Sequence, residues 1–228
     1  MAKNRMIAMI LAAGRGERLR PLTDTVPKCL VEVRGQSLLE RHLEHVSKAG
    51  IKNVVINLGW LGEQIVERVG SGSEYGLNVL YSDEGDNVLE TGGAIRKALP
   101  VLGSEPFLVL NADIFTEMPV PVVALRDNAL GHLVLVPTPD YRAVGDFDLN
   151  GGMIRNGDTP ALTFGGVAMY RREFFDGCEA GKFSIVPLMR AAADAGRLQG
   201  SLYEGVWADV GTPERLAAID NQCTVNDN

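Results

Sequence analysis

Residues 11–30 read LAAGRGERLRPLTDTVPKCL and concentrate cations beside glycine in a chain of net charge −7. Gly14 and Gly16 permit a turn whose backbone amides approach an anion closely. Arg15 and Arg18 add guanidiniums, whose planar fork bonds two phosphate oxygens at once. Neither of the best-known phosphate loops fits. There is no GK[ST] ending, and Leu19 stands where a dinucleotide fingerprint needs its third glycine. Pro21 and Pro27 disfavour a helix through the segment. An extended loop is therefore expected to return Lys28 toward the same edge, as a point charge for a second phosphate. A tight turn with solvated arginines, and a lysine in a surface ion pair, are the plain alternatives.

Two aspartates lie far from that loop in sequence. Asp113 ends the apolar run LVLNAD, and Asp209 follows VWA just before Gly211. A carboxylate at such a strand end suits a hard cation such as Mg²⁺, which keeps waters and takes one or two carboxylates plus phosphates. Asp113 and Asp209 are thus candidate ligands of one shared ion, with turn or helix caps as the alternative. Glu90-Thr91-Gly92-Gly93 offers bare backbone to a flat ligand, with Thr91 expected to cap the helix that follows. Asn111, Gly145 and Gly165 fall where irregular second-half segments could meet a sugar hydroxyl.

These residues need elements to hold them. Met6 to Ala13 is a continuous apolar run ending at Gly14, which suits a strand covered on both faces. Helical spacing from Ser37 to Ala49 ends at Gly50. A strand at 54–57, a helix at 60–70, a strand at 77–82, a helix from the TGGA segment and a strand at 106–113 follow. Strand and helix alternate, which implies right-handed crossovers and a largely parallel sheet with helices on both faces. Ligands on such sheets bind beyond the strand carboxyl ends, where Gly14 and Asp113 would both lie. The second half is expected to add strands near 132–136, at GDFDL and at ALTFGGVAMY. Then come a helix capped by Ser184, extended chain through Asp209, and a last helix capped by Thr212. One domain over 1–228 is expected, with a lobe over the sheet edge.

Composition narrows the function class. The chain has 228 residues, 46% hydrophobic and 22% charged, ample for a sizeable core. No apolar run approaches the ~20 residues of a membrane helix. The basic-then-apolar N-terminus runs straight into charged GRGERLR, so it reads as a first strand rather than a signal peptide. No membrane partner and a cytoplasmic location are expected. The acidic balance argues against nucleic acid. Cys29, Cys178 and Cys223 are odd in number and widely spaced, so neither disulfides nor structural zinc is expected. His42 and His45 read as surface or packing residues.

The ordered set LAAGRGERLRP, VPKCL, LETGGA, LNAD, GDF, TFGGVAMY and WADVGTPE resembles the sugar 1-phosphate nucleotidyltransferases over almost the whole chain. That resemblance implies a Rossmann-like α/β sheet, with a nucleotide-binding half over 1–118 and a small sugar-binding lobe within 119–228. It implies nucleotide contacts from Leu11, Ala12, Ala13, Gly14, Gly16, Thr91 and Gly92. Arg15, Arg18 and Lys28 would be catalytic, Asn111, Gly145 and Gly165 would face the sugar, and Asp113 and Asp209 would hold Mg²⁺. ETGGAI, GDF, LTFGG and W-x-DVGT are most similar to the branch that joins UTP to N-acetylmuramic acid 1-phosphate in cell-wall recycling. Mannose 1-phosphate guanylyl transfer and a non-catalytic sugar-nucleotide sensor are the rivals. A monomer or weak homo-oligomer is expected. The second-half E-K-P motif common in such proteins is missing, and Cys29 is an unusual neighbour for Lys28.

Overall fold

The computed structural model describes residues 6–85 and 87–221; Cys223 lies outside them. Strand β1 (Ile7–Leu11) leads through three short 3-10 turns, at Glu17–Leu19, Leu22–Asp24 and Lys28–Leu30, into a small hairpin. That hairpin is β2 (Glu32–Val33) and β3 (Gln36–Ser37). There follow α1 (Leu38–Lys48), β4 (Asn53–Leu58), α2 (Gly62–Val69), β5 (Asn78–Asp83), α3 (Glu90–Leu102), β6 (Phe107–Asn111) and β7 (Ile114–Thr116). The second half holds β8 (Gly131–Pro137), β9 (Asp148–Asn150), β10 (Met153–Arg155), β11 (Leu162–Tyr170), α4 (Val186–Asp194), β12 (Leu198–Leu202), β13 (Trp207–Asp209) and α5 (Pro213–Asn221).

Nine strands form one sheet in the order β5-β4-β1-β6-β11-β8-β12-β10-β9. The first four are mutually parallel. Only β11 and β10 run against the rest, so seven of the nine strands share a direction. The second-half strands continue the sheet of the first half, and the pairs β2–β3 and β7–β13 form two small antiparallel sheets beside it.

The apolar runs explain why the sheet is covered twice. Successive side chains on a strand point to opposite faces. Met9, Val55, Phe107, Val109, Leu133, Ala168 and Tyr170 face α3 and α4 through Ile95, Ala98, Leu99, Met189 and Ala193. Their sequence neighbours Ala8, Ile10, Val54, Ile56, Leu108, Leu110, Val134 and Met169 face α1 and α2 through Leu39, Leu43, Val46, Ile65 and Val69. Each of these strands therefore reads as unbroken apolar sequence instead of alternating. A third, smaller core joins Leu19, Val33, Leu38, Phe115, Val210 and Ile219, and it ties the opening loop to α5.

Helix caps follow the side chains available. Ser37 and Glu40 make a reciprocal capping box at the start of α1. Thr212 accepts from the Arg215 amide at 3.4 Å. Two expected caps differ. Thr91 does not cap α3, because that helix already begins at Glu90 and its N-cap is Leu89. Ser184 stands one residue outside the N-cap position of α4, where its hydroxyl accepts from the Val186 amide at 3.2 Å. His42 is fully buried on the inner face of α1. Burial, with the nearby His45 adding to it, lowers its imidazole to about 4, so the ring is neutral at working pH.

Candidate active site

The parallel strands β1, β4, β5 and β6 deliver their carboxyl ends to one edge, where a cleft of about 1100 Å³ opens. That is at the large end for a small-molecule site. Leu11, Ala12, Ala13, Gly14, Arg15, Gly16, Arg18 and Lys28 line it, with Thr91, Asn111 and Asp113. The extended loop expected between Gly14 and Lys28 is instead a chain of 3-10 turns. These turns carry out the predicted return: Lys28 Nζ bonds Asp113 Oδ2 at 2.5 Å.

The loop is fixed by contacts no single motif reveals. Gly16 adopts φ 65°, a left-handed conformation that favours glycine. A Cβ there would sit 2.9 Å from the Thr23 methyl and 3.1 Å from Lys28 Cβ. Thr23 Oγ1 donates to the Gly16 carbonyl at 2.8 Å. From the neighbouring strand end, the Trp60 indole N–H donates to the Thr23 carbonyl at 2.9 Å. The Arg15 guanidinium lies 5.3 Å from the centre of the Trp60 ring, in cation–π range. Gln64 donates to the Thr25 carbonyl at 3.0 Å. Trp60→Phe keeps the ring and deletes the hydrogen bond. The melting temperature should then fall by about 3 °C, the worth of one hydrogen bond of about 1 kcal/mol. An unchanged value would show that the Trp60 N–H does not order the loop.

A buried polar relay lies behind the cleft, and sequence reasoning missed it. The Ala12 amide donates to Asn57 Oδ1 at 2.6 Å, and Asn57 Nδ2 donates to Glu84 Oε1 at 2.6 Å. Glu84 Oε2 accepts from the Leu89 amide at 2.7 Å. Asn57 and Glu84 are both buried. Three consecutive sheet positions, at the ends of β1, β4 and β5, are thereby joined to the start of α3.

The two aspartates meet through β7 and β13. Asp209 pairs with Ile114 in that small sheet, and the Val210 amide donates to the Asp113 carbonyl at 2.9 Å. Asp209 Oδ2 accepts from Arg215 Nη1 at 2.6 Å, and its Oδ1 accepts from the Tyr141 hydroxyl. The Arg215 guanidinium stacks 3.7 Å above the Tyr141 ring. Burial, then the bond to Asp209, raises the Tyr141 phenol to about 12. Gly211 marks where these groups converge: a Cβ there would lie 2.9 Å from Arg215 Nη1, 3.2 Å from Arg18 Nη2 and 3.5 Å from Asp209 Oδ2. Arg215 and Tyr141 were not picked out from the sequence. Arg215 stands six residues beyond Asp209, within α5, a spacing that by itself signals only a helix side chain.

Other predicted residues lie elsewhere. Gly92 is packed against Phe183, whose ring would be 2.4 Å from its Cβ, and it does not line the cleft. Gly145 is wedged between the Leu162 carbonyl and Thr138. The Gly165 carbonyl accepts from the Trp207 indole at 2.9 Å. It is Gly166, at φ 74°, that abuts Asn111, with 3.1 Å from its would-be Cβ to Asn111 Cβ. Cys29 is buried beside Lys28; burial foremost, with the Asp113 charge adding to it, raises its thiol to about 12. It is a packing residue and no nucleophile.

Three cations from one loop, Arg15, Arg18 and Lys28, line a cleft at a parallel strand edge together with Asp113, which suits it to binding phosphate. Residues 7–142 match the model of the nucleotidyl transferase family. The chain belongs to that family. A Neisseria meningitidis N-acetylmuramate alpha-1-phosphate uridylyltransferase is 45% identical over 92% of this chain and 95% of its own length. The Caulobacter vibrioides protein of the same name is 34% identical over 96% and 97%. A Bacillus anthracis crystal structure, described as a candidate glucose-1-phosphate thymidylyltransferase, superposes with a TM-score of 0.84. It covers 98% of this chain and 96% of its own, at 20% identity, so it bears on the fold alone. The nucleotidyltransferase sheet thus accounts for both halves, including the second-half strands that extend it.

Proposed function

We propose that this nucleotidyltransferase joins UTP to N-acetylmuramic acid 1-phosphate, releasing UDP-N-acetylmuramic acid and pyrophosphate. A phosphate oxygen of the sugar 1-phosphate attacks the α-phosphorus of UTP. The bond from that phosphorus to the β-phosphate bridging oxygen breaks, and pyrophosphate departs. Such a transfer needs positioning and charge stabilisation more than a protein nucleophile. The observation that carries the reading is the convergence of Arg18, Lys28 and Asp113 on one strand-edge cleft, with Asp209 held beside them by its pairing with Ile114. The kinship to two uridylyltransferases supports the choice of base and sugar.

Arg18 and Arg15 would neutralise the transferring and leaving phosphates. Lys28 would hold the sugar phosphate against the α-phosphate. The Ala12 backbone, whose amide is fixed by Asn57, would line the base pocket with that of Ala13 and with Thr91. Asp113 and Asp209 supply only hard oxygens from adjacent backbone positions. No cluster of three or more His, Cys, Asp or Glu exists among the described residues. A cation there would draw its remaining ligands from water and phosphate, which fits magnesium. A carboxylate has about four lone-pair sites, so the bonds to Lys28, Tyr141 and Arg215 leave coordination capacity. Mg²⁺ held there would offset repulsion between the two phosphates.

Purified protein should be incubated with each nucleoside triphosphate and each sugar 1-phosphate, and pyrophosphate measured. Highest kcat/KM is expected for UTP with N-acetylmuramic acid 1-phosphate, and activity should vanish on chelation of divalent cations. Preference for GTP with mannose 1-phosphate would replace this reading with its nearest rival. Tight nucleotide binding without pyrophosphate from any pair would point to a sensor.

A further inference from the structure

The proposed sugar differs from neutral N-acetylhexosamines by a lactyl ether that ends in a carboxylate. Its recognition therefore involves a second anion besides the phosphate. The cations of the opening loop are committed to the phosphates under the reading above, on which this inference rests. Among the described residues lining the cleft, Lys182 is the one cation supplied by the second half.

The backbone that carries Lys182 is held firmly. The Phe183 amide donates to the Leu89 carbonyl at 3.1 Å, and the Phe183 carbonyl accepts from the Gly93 amide at 3.1 Å. A Cβ on Gly93 would lie 2.1 Å from the Gly181 carbonyl. The glycine pair that opens α3 is thus required for residues 181–183 to close against this helix. Packing of this kind places the lysine at the cleft wall beside Glu90.

The charge of Lys182 is not consumed there. Its ammonium stands 3.8 Å from Glu90 Oε1, and the two side chains are 65% and 46% exposed. An ion pair so long and so hydrated contributes little, so the ammonium can turn to another carboxylate at small cost. The charged group beside it is itself a carboxylate, Glu90, and Glu84 lines the same cleft. Without Lys182, an acidic sugar would face these carboxylates with no counter-charge from the second half. We propose that Lys182 determines specificity by pairing with the carboxylate of an acidic sugar 1-phosphate.

The test compares kcat/KM, with UTP, for N-acetylmuramic acid 1-phosphate and for N-acetylglucosamine 1-phosphate, which lacks the lactyl group. The ratio of the two values is independent of the folded fraction and of any general loss of phosphate affinity. Lys182→Gln should lower the ratio on the order of 10-fold, the worth of one charge-assisted contact. Lys182→Glu should lower it further, since like charges then meet, and Lys182→Arg should keep it within about twofold. A ratio unchanged in both Lys182→Gln and Lys182→Glu, in an enzyme whose wild type prefers the acidic sugar, overturns the role of Lys182 alone. Wild-type protein that uses neither sugar with UTP overturns the uridylyltransferase reading, and this inference with it.

Discussion

Replacing Asp113 by asparagine is expected to lower turnover on the order of 10³-fold while the protein stays folded. The substitution keeps the shape of the side chain and removes one negative charge. Asp113 lies just past β6, and its side chain is 36% exposed. A partly exposed ion pair such as its contact with Lys28 is worth about 1 kcal/mol or less, so the melting temperature should move by only a few degrees. The loss in chemistry is larger for a physical reason. Under the proposed reading two polyanionic substrates must be brought within bonding distance, and a neutral amide would be a poor ligand for a hard cation offsetting their repulsion. Lys28→Met on its own should also slow turnover, because under the proposed reading the lysine would hold the same oxygens. Pyrophosphate release across a magnesium series, thermal melting and Mn²⁺ binding by electron paramagnetic resonance would separate these effects. Near-normal turnover in Asp113→Asn would remove this carboxylate from the mechanism.

The part of this site that was legible in the sequence is the part encoded locally. An unbroken apolar run, then glycine and arginine, marks a buried parallel strand that empties into an anion-binding turn. The structure places that turn, Lys28 and Asp113 in one cleft. Elements such as β7 and β10 span three residues each, too few for alternation to show. Their existence depends on partners distant in sequence: β7 pairs with β13 across some ninety residues. Gly165 and Gly166 look alike in sequence, and only the bulge between Phe164 and Val167 decides which of them meets Asn111. Thr91 failed as a helix cap because the helix begins one residue earlier, at Glu90, with φ 59°. Tyr141 and Arg215 escaped notice for a different reason. A tyrosine in a loop and an arginine on a helix acquire meaning only once both reach the same carboxylate.

The buried relay is the clearest case of information that resides in register. Asn57 and Glu84 are 27 residues apart, and each reads as a polar residue near a strand end. Parallel pairing of β1 with β4 and of β4 with β5 sets their ends side by side. Once aligned, the asparagine has only one consistent orientation. Its carbonyl must face the Ala12 amide, and its amino group must face Glu84. Asn57→Ala should therefore cost about 3 kcal/mol, because it strands a backbone amide and a carboxyl oxygen where water is largely excluded. For a chain of this size that is roughly 10 °C in melting temperature. The same change frees the backbone of Ala12 and, through Glu84, that of Leu89, both in the cleft wall. The KM for the nucleoside triphosphate should rise with the loss of stability. A double-mutant cycle distinguishes a relay from two independent bonds. Asn57→Ala with Glu84→Ala should cost clearly less than the sum of the single changes, since the second removes the group orphaned by the first. Strict additivity, or an Asn57→Ala protein that melts within about 2 °C of wild type, would show that the strand ends are held by packing alone.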